Sequence, residues 1–313
     1  MKAIQFFAIT ALGAALFASC SNQEELATGS YPSDNLIRVT AGVNNDMTRS
    51  DEVVTPTALT KDFSLTVVNS KDDRFSYINQ IFSLNGGTEW TCTNKLFWEN
   101  EKTPVKIVAL YPAANAFTFD KVYSKFDKTF GTITYSVKSD QSKADDANDL
   151  LIYHNDNFIP EKNLKKGKLD IVFNRAFCRV DIEVTIGSEF NASTGLAANP
   201  IQGIRVEGTK ISADIGLASA SPTITAKGDA ASITPTLDKF TPAADATAKA
   251  VARYSCMVIP QTATLNVSLN TSNKHYEWTG KQMTLKSGKQ YTLKLNLGTK
   301  STTTRKIILR ERK

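Results

Sequence analysis

The chain has 313 residues, 41% hydrophobic and 22% charged, with a net charge of +6. That balance excludes wholesale disorder, and the length suits about two ordinary domains. Within residues 300–313, Lys300, Arg305, Lys306, Arg310, Arg312 and Lys313 stand against Glu311 alone, so this tail holds +5 of the +6. No basic face suited to nucleic acid is left for the rest of the chain. Thr, Ser, Val and Ile are plentiful and long 3.6-residue periodicity is absent, which predicts an all-β protein.

Residues 1–19 read as a lipoprotein signal peptide: Lys2, an apolar stretch from Ile4 to Phe17, then Ala18 and Ser19 before Cys20. The stretch is too short and too early for a membrane span. Phe17-Ala18-Ser19-Cys20 resembles a bacterial lipobox, which implies cleavage before Cys20 and acylation of its thiol and amine. Several acyl chains on one residue would anchor the protein stably in an outer membrane, where one chain alone is marginal. An ordinary signal peptide with an incidental cysteine is the plainer alternative. Ser21-Asn22-Gln23-Glu24-Glu25 also resembles the acidic export signal of surface lipoproteins.

Residues 20–49 read as a propeptide that includes the first strand, LIRVTAGV at 36–43. Ile37, Val39, Ala41 and Val43 share one face, with Arg38 and Thr40 on the other. NNDMTRSDE follows (44–52), polar except for Met47 and centred on Arg49. A solvated loop explains it simply; a protease cut between Arg49 and Ser50 explains it more sharply. Phe63, Leu65 and Val67 form the next apolar face. Asn85-Gly86-Gly87-Thr88 signals a hairpin. VKIVALYP (105–112) is apolar on both faces, as a strand covered on both sides would be, and Pro112 ends it. Strands are also expected at 131–137 and 150–154.

Polar, glycine-containing 163–168 is the expected boundary between an N-terminal domain (50–165, with strand 36–43 docked on it) and a C-terminal one (168–298). LDIVF opens the second series. Then comes the cleanest alternation in the chain: Ala176, Cys178, Val180, Ile182, Val184 and Ile186 on one face, Arg175, Arg179, Asp181 and Glu183 on the other. Residues 187–250, rich in Ala, Ser, Thr, Gly and Pro, read as long loops with short strands. Regular strands return at 254–258, 265–269 and 291–297. Two tandem antiparallel β-sandwiches account best for so many one-sided strands. The basic tail, 299–313, follows.

Chemistry-bearing residues are sparse. His154 and His275 have no partners at metal-ligand spacing and read as rim or surface histidines, so no metal or cofactor is expected. Cys92, Cys178 and Cys256 fall on apolar strand faces and read as buried, inert thiols; a Cys178–Cys256 bridge is the alternative in an oxidising compartment, leaving Cys92 free. Asp145 to Asp149 with Asn155-Asp156-Asn157 lacks the spacing of a calcium loop. Trp90, Trp98 and Trp278 adjoin strands and read as core rather than as sugar platforms. With no GxSxG, Walker, Rossmann or HExxH pattern, no catalytic residue is assigned and an enzyme is not expected.

In order along the chain, the lipobox, IRVTAGV followed by Met47-Thr48-Arg49, Trp98 before PVKIVALYP, Asp149-Leu150-Leu151-Ile152-Tyr153, VFNRAFCRVDIEV and the closing LKSGKQYTL (285–293) resemble the fimbrillin family, the subunits of type V pili. The resemblance implies two transthyretin-like sandwiches, lipoprotein export, removal of the N-terminal strand by an arginine-specific protease, and polymerisation with other pilus subunits by strand exchange. On that scheme Ile37, Val39, Ala41 and Val43 are a plug, and the fimbrium is the final location. KIILRERK (306–313) equals LIRVTAGV in length, so Ile307, Ile308 and Leu309 are the candidate donor strand, with a disordered basic extension as the alternative. A second reading is a non-polymerising surface lipoprotein or tip adhesin that holds a glycan or host protein through the 187–250 loops or exposed aromatics.

Overall fold

The computed structural model describes residues 31–44, 57–59, 61–86, 89–113, 123–124, 129–143, 145 and 148–298. Strands dominate throughout, as composition predicts. The first part of the chain forms β1 (Val39–Val43), β2 (Thr57–Ala58), β3 (Phe63–Asn69), β4 (Tyr77–Asn85), β5 (Glu89–Thr91) and β6 (Val105–Tyr111). It continues with β7 (Tyr123–Ser124), β8 (Thr129–Phe130), β9 (Thr132–Ser136) and β10 (Leu151–Phe158), a single helical turn at Pro160–Asn163, and β11 (Leu169–Arg175).

Seven of these close on themselves. The order β11-β10-β6-β3-β4-β5-β1 returns to its start because β1 pairs with β11 as well as with β5. Two face-to-face sheets do not predict this ring; it arises because β1 and β11, far apart in sequence, run parallel from Val39↔Leu169 to Val43↔Phe173. Closure removes the open edges that an aligned pair of sheets would keep. The ring is filled by Phe63, which stacks on Phe82 at 5.5 Å and meets Trp90 and Phe173 edge-on at 4.8 and 5.4 Å. The hairpin at Asn85 is present, with Asn85 opposite Glu89.

The second part comprises β12 (Cys178–Ile186), β13 (Ile201–Gly216), β14 (Thr223–Ile233), β15 (Thr236–Thr241) and β16 (Ala250–Val258). After these come β17 (Thr262–Thr264), β18 (Asn266–Thr271), β19 (His275–Trp278), β20 (Gln282–Thr284) and β21 (Gln290–Leu297). One sheet runs β15-β16-β12-β21; another runs β14-β13-β18-β19 and takes in β9 beside β13. Their inward side chains share one core. The alternation of β12 is realised fully: Cys178, Val180, Ile182, Val184 and Ile186 are buried. Outward, Arg179 pairs with Asp181 and Asp238, and Glu183 pairs with Arg253 and Lys294.

Three expectations change. Residues 169–175, expected to open the second series, complete the ring by pairing with β1 and β10, so the chain leaves the first sheet after Arg175 rather than at 163–168. Conversely, β9 lies within 50–165 yet joins the second body through β13. Residues 187–250 are not mainly loops. They hold the 16-residue β13 and the 11-residue β14. Their signal was hidden because the pairing shifts register twice, between Val206 and Thr209 and between Lys210 and Ser212, and each shift breaks the period of two. Gly208 sits at the first shift with φ +91°, and a Cβ there would lie 2.1 Å from the Thr264 carbonyl oxygen, so only glycine fits.

Strand β6 explains why 105–112 is apolar on both faces. Val105, Ile107, Ala109 and Tyr111 face the ring interior, while Val108 and Leu110 belong to the second core. Leu150, Ile152 and Val68 join them there. One wall of the ring is thus the roof of the second core.

Candidate functional site

The feature that sets this molecule apart from an inert pair of sheets is the slot that β1 occupies. β1 runs parallel to β11 on one side and antiparallel to β5 and β2 on the other, meeting Trp90 through Val39, Ala58 through Gly42 and Thr57 through Val43. Backbone ties extend beyond the ladder. The Ile37 N–H donates to the Leu96 carbonyl (2.8 Å), the Trp98 N–H to Asn35 (2.8 Å), the Leu169 N–H to Arg38 (2.8 Å) and the Asn44 N–H to Phe173 (2.8 Å). A bridge between Leu36 and Phe97 adds to these.

Inward, Ile37, Val39 and Val43 are buried among Trp90, Leu169, Ile171 and Phe173, while Ala41 is only partly covered. The four expected plug residues therefore share one face, three of them deep. Outward, the Thr40 hydroxyl donates to Asp170 Oδ1 (2.9 Å), and Asp170 also pairs with Lys165. At the entry, Arg38 donates to both carboxylate oxygens of Asp34 (2.9 and 2.5 Å).

Hydrogen bonds from Arg38, with the Leu36 N–H adding to them, hold the exposed Asp34 carboxyl at about 2. A depressed carboxyl supports the fold above its unfolded pKa, near ~3.9, and that support disappears as pH falls through the folded value. Asp34→Asn is therefore expected to flatten the acid limb of a stability–pH curve between ~4 and ~2, measured by urea unfolding. The effect should be small and should shrink further in high salt, because the pair is exposed.

The described chain pauses at Asn44 and resumes at Thr57, directly opposite Val43. Arg49 and Ser50, expected as the cut site, lie outside the described residues, as do Cys20 and the donor candidates Ile307, Ile308 and Leu309. The ends of the 44–56 connection are nonetheless adjacent, at the rim of the ring. β2 pairs with nothing but β1 among the described strands.

The remaining candidates fall elsewhere. His154 is not a rim residue: its side chain is 1% exposed, edge-on to Phe130 at 5.3 Å, with Nε2 2.7 Å from Asp156. His275 lies on the polar face of β19, between Asn270 and Glu277. Cys178 and Cys256 are buried free thiols, Cys178 donating to the Val258 carbonyl (3.0 Å). Burial pushes Cys178 up to about 12 and raises Cys256 as well. Cys92, half-buried, is also free. Trp90, Trp98 and Trp278 are all buried. Among the described residues no three His, Cys, Asp or Glu side chains gather as metal ligands.

Sequence reasoning missed the slot's walls. Trp90, Leu169, Asp170, Ile171 and Phe173 were each visible as strand residues, but nothing local signals that a strand at 169–175 will pair with one at 39–43.

Residues 39–308 match the family described as fimbrillin-like. A crystal structure of a candidate cell adhesion protein from Bacteroides ovatus shares the fold with a TM-score of 0.61 at 12% identity, over 90% of this chain and 98% of that one. Another, from Bacteroides uniformis, does so with a TM-score of 0.54 at 13% identity, over 86% and 94%. No curated protein sequence matches the chain. The family match begins at the first residue of β1 and takes in every wall of the slot and both cores apart from Ile37: the chain belongs to the fimbrillin-like family.

Proposed function

We propose that this protein is a structural subunit of a type V pilus, exported to the outer-membrane surface as a lipoprotein acylated on Cys20 and activated by an arginine-specific protease that cuts between Arg49 and Ser50. In this reading β1 is a plug. The cut separates residues 20–49 from the body, a neighbouring subunit's extended segment takes the slot, and Ile307, Ile308 and Leu309 of the tail act as donor toward the next subunit. The division into two transthyretin-like units belongs to the same proposal, with the first unit running through Arg175 and the second from Cys178 to Gly298.

The observation that carries it is the position of β1. It is the stave that closes the ring, it lies upstream of an arginine in a polar connection, and its partners β5 and β11 become two unpaired edges when it leaves. An extended segment adds to such edges through main-chain hydrogen bonds, with alternate side chains setting specificity.

The test is expression of the full chain on cells with and without an arginine-specific protease, scoring subunit mass, N-terminal sequence and polymer ladders. Surface polymers should begin at Ser50, and Arg49→Ala should abolish both the cut and the ladder. Polymers that retain residues 20–49, or a start upstream of Leu36, would overturn the reading in favour of a stationary surface binder. Deleting 305–313 should block donation while leaving the subunit folded.

A further inference from the structure

Burial along β1 is uneven in a way that specifies its replacement. Going inward, the strand reads deep, deep, shallow, deep: Ile37, Val39, Ala41, Val43. The last three stand in register with Leu169, Ile171 and Phe173 of β11, all fully buried. A strand that refills the slot must therefore bring large apolar side chains to its first, second and fourth inward positions, while its third, only partly covered, is less demanding.

Resting on the exchange proposed above, we propose that the strand which replaces β1 comes from a different polypeptide, not from a second copy of this chain. Its inward residues are large and apolar at the first, second and fourth positions, so the protein assembles with unlike neighbours and does not build a homopolymer. No register of residues 301–313 puts large apolar side chains at all three deep positions. The best one sets Ile307 and Leu309 at the places of Ile37 and Val39, but then brings Glu311 to Ala41 and Lys313 to Val43. A one-residue slip turns Lys306, Arg310 and Arg312 inward instead. At the deep place of Val43, burying the Lys313 charge without a partner is disfavoured, and the described slot interior is aromatic and aliphatic. On the outer face Arg310 would replace Thr40 beside Asp170, yet an exposed pairing of that kind contributes too little to compensate. The tail thus suits a differently lined slot on another subunit.

Displacement of the plug tests this. The full chain is cut after Arg49 by an arginine-specific protease, and release of fragment 20–49 is followed as peptide is added. Three peptides serve as probes: residues 36–43, residues 306–313, and residues 306–313 carrying Glu311→Ala and Lys313→Val. The first and third should displace the fragment at concentrations at least ~10-fold lower than the native tail, the factor that burying one large apolar side chain supplies. Equal potency of the native tail and of 36–43, or homopolymers from the cut chain alone, would overturn the inference while leaving strand exchange intact. Refusal of all three peptides would overturn strand exchange, and the inference with it.

Discussion

A chain that begins at Ser50 is expected to be less stable than the intact protein by about 5–9 kcal/mol, the sum for Ile37, Val39 and Val43 at roughly 1.5–3 kcal/mol per large buried side chain. Domains of this kind have only about 5–15 kcal/mol to lose. The loss should therefore show as a large drop in the urea midpoint, and peptide 36–43 added in trans should restore it. An unchanged midpoint would mean that β1 closes nothing. Cutting the 44–56 connection is a different event from removing β1. The cut itself leaves the described pairings of the strand in place, since Val39, Val43 and their partners lie outside the connection. What it abolishes is the tether. A linked strand competes with any incomer at an effective concentration of about millimolar, and that advantage vanishes on cleavage. Stability is retained until a competitor arrives, at which point the exchange replaces one set of buried side chains with another.

The legible part of this fold was its local part. The alternation of β12, the two-faced apolar run of β6 and the hairpin at Asn85 were all readable, because side-chain period and turn residues are properties of neighbouring positions. The inward face of β1 was readable for the same reason: Ile37, Val39 and Val43 alternate with Arg38 and Thr40 and are buried as that pattern predicts. Ring closure was not readable. It depends on a parallel pairing between Val39–Val43 and Leu169–Phe173, and two apolar strands carry no mark of which partner each will find. The same limit made 163–168 look like the end of a unit when the strand after it still belongs to the first ring.

The misreading of 187–250 has a different origin. Period-two reasoning needs an unbroken register, and the pairing of β13 with β14 contains two shifts, one at Gly208, whose positive φ no other residue tolerates well. Its inward residues also include Thr209 and Ala213, fully buried yet too small or too polar to stand out as a core face. Of the slot, the apolar face of β1 was visible and the walls were not. Trp90 and Phe173 acquire meaning as lining only once β1 lies between them.

Ile107→Ala and Leu110→Ala, three positions apart on β6, are each expected to cost about 2–5 kcal/mol, because both side chains are fully buried and cannot be replaced without a cavity. They face different cores, Ile107 the ring and Leu110 the second body. Two independent units would respond separately, each variant moving one of two transitions. A shared wall requires the opposite. Trp90 and Trp98 report on the ring core and Trp278 on the second, so single-tryptophan versions of the two variants can follow each core through urea unfolding. Both variants should shift all three signals together; separate transitions would show that β6 does not couple the cores. That coupling bears on exchange. A subunit whose slot stands open has lost one stave, but β6, with Val68 on β3 and Ile152 on β10, stays anchored by the second core. The wall opposite the gap is thus held in shape by contacts that β1 never touches, which is what the proposed exchange would need while the slot stands open.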